Sequence, residues 1–156
     1  MRMAAKEPLD IAKYLKERKG KVLVMSGWLC EKLELDGRRL IDYAVELANK
    51  LDAAVAATGN TVNAVRGKVK ATKKMWAAEI PLYLKYDWKE PFERPEVVVL
   101  IGYTPDAARA LATAMAGLVE TVVLDSVEVP EATISLRTMT IDKWKESLKE
   151  IMKNLG

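Results

Sequence analysis

The chain has 156 residues, half of them apolar and 30% charged, and its 25 Lys and Arg against 22 Asp and Glu leave a formal charge of +3. That length gives a single domain enough chain for a real core, and so mild a charge implies no nucleic-acid partner. With no histidine and one cysteine, Cys30, the chain cannot supply Ser-His or Cys-His nucleophile chemistry, a histidine metal site, a cysteine-ligated iron–sulfur cluster or an internal disulfide.

The lone cysteine fits a reducing, cytoplasmic compartment. Residues 1–21 are charged throughout and lack the apolar block of a signal peptide. No apolar run approaches a membrane span, so no membrane association is expected.

Pro8 opens a predicted helix over 8–19, with Ile11, Ala12 and Leu15 as its apolar stripe and Gly20 as its stop. Residues 21–27 then read as a buried strand. Residues 28–37 read as a loop, too long for the tight glycine turn of a dinucleotide fingerprint, and no G-x-G-x-x-G occurs in the chain. A second helix is predicted over 38–50 and a second strand, weak because of its alanines, over 52–59. Asn60 would cap a short helix ending at Val65. The stretch 66–74 carries Arg66, Lys68, Lys70, Lys73 and Lys74. It reads first as a solvated basic turn, and otherwise as a docking surface for an acidic partner or a phosphate.

Residues 75–88 are apolar and aromatic, with a helix broken or begun by Pro81. Their aromatics divide between core and an interface, which leaves self-association open. Residues 88–95 form a proline-punctuated connector. Val97 to Ile101 are five apolar residues in a row, four of them β-branched, as suits a strand covered on both faces. Thr104 caps the next helix, Pro105 fits its first turn and Asp106 favours its positive end. That alanine-rich helix is predicted over 107–118, and a further buried strand over 120–125. Strand, helix and strand in about 30 residues make a βαβ unit, which implies an α/β domain spanning 1–156. A loop at 126–130, a short strand over 133–137 and an amphipathic helix over 142–155 complete the chain.

In an open parallel sheet, ligands bind beyond the carboxyl ends of the strands. Those ends hold Ser26, Gly27 and Trp28; Thr58, Gly59 and Asn60; Gly102, Tyr103 and Thr104; and Asp125 with Ser126. Glycine and hydroxyl groups there would let backbone approach a phosphate or sugar, although ordinary strand-to-helix turns use the same residues. Asp125 and Glu128 could be offered as an acid–base pair, but solvated loop charges are the better reading. No catalytic residue and no metal ligand is assigned.

The order of these segments resembles the epsilon subunit of the archaeal acetyl-CoA decarbonylase/synthase (carbon monoxide dehydrogenase/acetyl-CoA synthase) complex. The matching pieces are residues 21–27 behind a lysine-rich helix; Ala56, Ala57, Thr58 and Gly59; residues 97–102 followed by a helix and then 121–125; and Asp142, Lys143 and Trp144 opening the last helix. The stretch 126–131, where family members carry aromatic and histidine residues, and the unusually basic 66–74 depart from the pattern. The resemblance implies a Rossmann-like three-layer α/β fold with a mostly parallel sheet, related to the NAD- and FAD-binding domains of sirtuins and thiamine-diphosphate enzymes. It also implies a non-catalytic subunit that stabilises the large, metal-bearing alpha subunit of the carbon monoxide dehydrogenase component and assists electron transfer to FAD. The alternative is a stand-alone FAD- or NAD-binding protein. An RNA-associated protein using residues 66–74 is the least favoured reading.

Overall fold

A computed structural model describes residues 4–58, 61–88 and 93–156. Strand β1 (Ala4–Lys6) leads into helix α1 (Pro8–Lys16), with Pro8 in its first turn, and the chain then turns at Gly20, whose φ is +85°. Every residue of β2 (Val22–Ser26) is buried. The expected loop after it is instead ordered as α2 (Leu29–Lys32) and a hairpin of β3 (Glu34–Leu35) and β4 (Arg38–Arg39). Asp36 and Gly37 turn that hairpin with φ of 60° and 72°. Asp-Gly with both φ positive is the favoured two-residue turn between twisted strands. The Asp36 carboxylate also accepts hydrogen bonds from Lys149 at 2.8 Å and Lys145 at 3.2 Å, and these lysines hold its carboxyl below the usual range.

Helix α3 (Leu40–Lys50) buries Leu40, Ile41, Ala44, Leu47 and Ala48, one face at helical spacing. Strand β5 (Ala54–Ala57) follows, then α4 (Val62–Val65), and the basic stretch ends in a strand, β6 (Thr72–Lys74), that the sequence reading takes for a turn. Helix α5 (Glu79–Tyr86) holds Pro81 in its first turn, where the missing N–H costs nothing. The β-branched run forms β7 (Val97–Ile101). Thr104 caps α6 (Pro105–Met115) by accepting from the Ala107 N–H at 3.3 Å. Strands β8 (Glu120–Val123) and β9 (Ile134–Leu136) precede α7 (Ile141–Leu155), capped by Thr140.

Seven strands form one sheet in the order β1-β9-β8-β7-β2-β5-β6, and every pairing in it is parallel. Setting β1 aside, that is the 3-2-1-4-5-6 order of a doubly wound Rossmann-like sheet. Successive residues alternate between two apolar layers. Val22, Val24, Val97, Val99 and Ile101 pack with α1, α3 and α7, whereas Leu23, Met25, Val98 and Leu100 pack with α5 and α6. The result is a three-layer α/β architecture. Among the described residues no helix is long and apolar enough to cross a membrane.

The hydroxyl of Tyr43 is buried with no hydrogen-bond partner among the described residues, while the Arg38 guanidinium lies 4.3 Å above its ring. Tyr43→Phe keeps the ring and removes an unsatisfied polar atom. Urea denaturation should show stability unchanged or raised by up to about 1 kcal/mol.

Candidate functional site

The strand order reverses between β2 and β7, so the place for a ligand is the crevice above Ser26 and Ile101. That crevice is shut by the chain itself. A Cβ on Gly27 would collide with the carbonyl oxygen of Gly102, and would lie 2.6 Å from the Gly102 carbonyl carbon and 2.9 Å from the Tyr103 ring. Gly102, at φ +87°, has the Cys30 sulfur against it. The Gly27 N–H donates to Ile101 O at 2.8 Å, and Leu29 N–H donates to Gly102 O at 3.0 Å. These glycines let backbone meet backbone, which is one reason a strand end carries glycine.

The hydroxyls at the strand ends bond to one another. Thr58 Oγ1 donates to Ser26 O at 2.6 Å, so its proton is spent. The Tyr103 hydroxyl, 3.1 Å away, is therefore the donor to Thr58 Oγ1. Thr61 Oγ1 likewise donates to Thr58 O at 2.9 Å, which makes Ser26 Oγ the donor to Thr61 Oγ1 at 3.0 Å. All four residues are buried. The network ties the ends of β2, β5 and β7 together.

Asp125 completes the cluster, and here the solvated-charge reading is corrected: its side chain is buried, 8% exposed. Oδ1 accepts the Gly102 N–H at 2.7 Å and Oδ2 the Tyr103 N–H at 3.3 Å. Burial pushes its carboxyl up to about 7, against the lowering effect of those two hydrogen bonds. Burial and then the Asp125 charge raise the Cys30 thiol, which donates to Ile101 O at 3.4 Å and stays protonated. Burial also raises the Tyr103 phenol. Glu128 lies apart from this cluster: its N–H donates to Thr138 Oγ1 at 3.0 Å.

The fold thus brings Ser26, Gly27, Thr58, Gly102, Tyr103 and Asp125 together, with Trp28 on the exposed rim and Thr104 spent on capping α6. Gly59 and Asn60 lie outside the described residues. Next to Asp125 is an apolar cavity of about 100 Å³, lined by Leu29, Leu33, Pro105, Val127, Ile141 and Trp144 among others. It is a few water molecules in size and well below the ~300 Å³ at which small-molecule pockets begin. It therefore has no room for a nucleotide as it stands. Among the described residues no group of three acidic or cysteine side chains is placed to hold a metal ion.

Thr61, Cys30 and Trp144, whose indole N–H donates to Leu124 O at 2.8 Å, belong to this assembly and escape the sequence reading. The apolar stripe of α7 marks Trp144 as core, but nothing local says what its N–H meets. The chain matches no protein-family model and no curated protein.

Proposed function

We propose that the chain is a non-catalytic accessory subunit of the carbon monoxide dehydrogenase (alpha–epsilon) component of an acetyl-CoA decarbonylase/synthase complex. In this reading it stabilises the large metal-bearing alpha subunit and assists electron transfer to FAD. Its sheet would then be of the kind found in sirtuins and thiamine-diphosphate enzymes. Support for a binding rather than a chemical role comes from one observation above all. Trp76 is 78% exposed, Tyr86 71% and Leu82 52%, and Leu82 and Tyr86, four residues apart on α5, share a face. Large apolar side chains left in water along one segment mark a surface that a partner covers.

The experiment is co-expression with the alpha subunit. The two chains should co-purify, and Tyr86→Glu combined with Leu82→Glu should abolish that while leaving the free chain's melting temperature within a few degrees. A chain that stays alone when mixed with the alpha subunit would sink the proposal.

The strand order favours a second reading, a stand-alone FAD- or NAD-binding protein, because that order binds dinucleotides in many proteins. Saturable quenching of FAD fluorescence by the purified chain would support it. The closed crevice argues for no saturation at about millimolar nucleotide, the regime of affinities too weak to serve a resident cofactor.

A further inference from the structure

We propose that the free edge of the sheet at β6 takes up an extended acidic segment of a partner protein as an added strand. Val55 N–H donates to Ala71 O and Met75 N–H to Ala57 O, both at 2.9 Å. In a parallel ladder alternate residues bond to the same neighbour. Ala71, Lys73 and Met75 therefore face β5, and the N–H and C=O groups of Thr72 and Lys74 point outward. Among the described residues no strand pairs with β6 on that side.

The charge that this edge and its flanks carry in the chain is one-sided, although Asp52 and Glu93 lie near Lys70. Residues 61–78 contain five lysines and arginines and no aspartate or glutamate. Among the described residues, Arg66, Lys68, Lys73 and Lys74 make no ion pair; only Lys70 does, to Asp52 at 3.6 Å. The nearest following carboxylate, Glu79, accepts from the Trp76 N–H at 2.8 Å and the Tyr83 hydroxyl at 2.9 Å, and these bonds and, less, the Lys73 charge lower its carboxyl. Lysines on an edge strand repel a second copy of the same basic edge. They admit an acidic strand, whose backbone supplies the missing hydrogen bonds and whose apolar side chains reach exposed Trp76. The inference rests on the subunit reading for the existence of a partner, but the edge can be tested without that partner.

The probe is a roughly eight-residue fluorescent peptide alternating glutamate and valine, the length of one ordinary strand, added to the full chain. Anisotropy should show saturable binding that weakens at about 0.5 M salt, where charge interactions are screened within a few ångströms. Lys73→Glu with Lys74→Glu should weaken it about tenfold or more, a loss of about 1.4 kcal/mol or more. Lys74→Pro, which removes an outward N–H and no bond to β5, should weaken it beyond Lys74→Ala, which removes only the charge. As a check independent of any variant, amide exchange at Thr72 and Lys74 should slow when peptide is added. Absence of saturable binding overturns the proposal. So does binding that leaves those two amides unprotected, as does displacement of the peptide by single-stranded RNA with no slowed exchange. Co-purification with the alpha subunit can succeed or fail independently of this peptide, so the two readings fail separately.

Discussion

Gly27→Ala should lower stability by about 3 kcal/mol or more, at or above the upper end of what inserting a group into a packed interior costs. The new methyl group would enter the Gly102 carbonyl. The backbone cannot swing aside, because Gly27 donates to Ile101 O at 2.8 Å and accepts from the Cys30 N–H at 3.0 Å. Gly102→Ala combines a clash against Cys30 with a positive φ and should be of the same order. Gly117 supplies the control. It has φ +80° but open space around a Cβ, so Gly117→Ala should show only the left-handed backbone penalty of about 1–2 kcal/mol. Urea denaturation of the three variants measures all of this. Equal losses at positions 27 and 117 would mean that the strand ends are less tightly closed than described. For the same reason, valine at Gly27 or Gly102 cannot probe nucleotide binding, since it would unseat the fold first.

Asp125→Ala should cost about 2–5 kcal/mol, because it leaves the Gly102 and Tyr103 N–H groups buried without acceptors. Asp125→Asn retains one oxygen acceptor and should cost less. The wild-type carboxylate also predicts a pH signature. Its folded-state pKa is raised from 3.8 to about 7, so the folded protein holds this proton more tightly than the unfolded chain. Its contribution to stability is full below about pH 4, falls as pH rises toward 7, and is level above that. The slope contributed is at most about 1.4 kcal/mol per pH unit. Asp36 and Glu79, both lowered, act in the opposite sense and only below their ordinary values near pH 4. The stability difference between wild type and Asp125→Asn should therefore shrink from pH 4 to 7. A constant difference over that range would mean that Asp125 is already ionised when folded.

These two residues show how the strand ends work in this protein. Glycine, hydroxyl and carboxylate groups collect where a Rossmann-like sheet commonly receives a ligand, yet here they satisfy one another. Phosphate binding at a helix or strand end needs unengaged N–H groups, and Asp125 occupies those of Gly102 and Tyr103. Along the β6 edge and α5, by contrast, basic and large apolar side chains stand exposed. The subunit reading and the added-strand proposal both draw on that surface, the first chiefly through Leu82 and Tyr86, the second through the β6 backbone and its lysines, with Trp76 common to both.

The α/β class and most of the interior elements were legible in the residues themselves. Runs such as Val97 to Ile101, short, β-branched and ended by glycine, favour strands buried on both faces, and Thr104 with Pro105 marks a helix start by local chemistry. Asp36-Gly37 was a readable hairpin signal inside what looks like a plain loop. The edge strands β1 and β6 were not legible: Ala-Ala-Lys and Thr-Lys-Lys pair on one side only, so they need no apolar run to announce them. Strand order was hidden as well, because β-branched side chains favour a buried strand without naming its neighbours. The role of Asp125 depended entirely on tertiary structure. A carboxylate just past a strand looks solvated in one dimension, and only the folding of β8 beside β7 carries it beneath two amide groups 22 and 23 residues away in the chain.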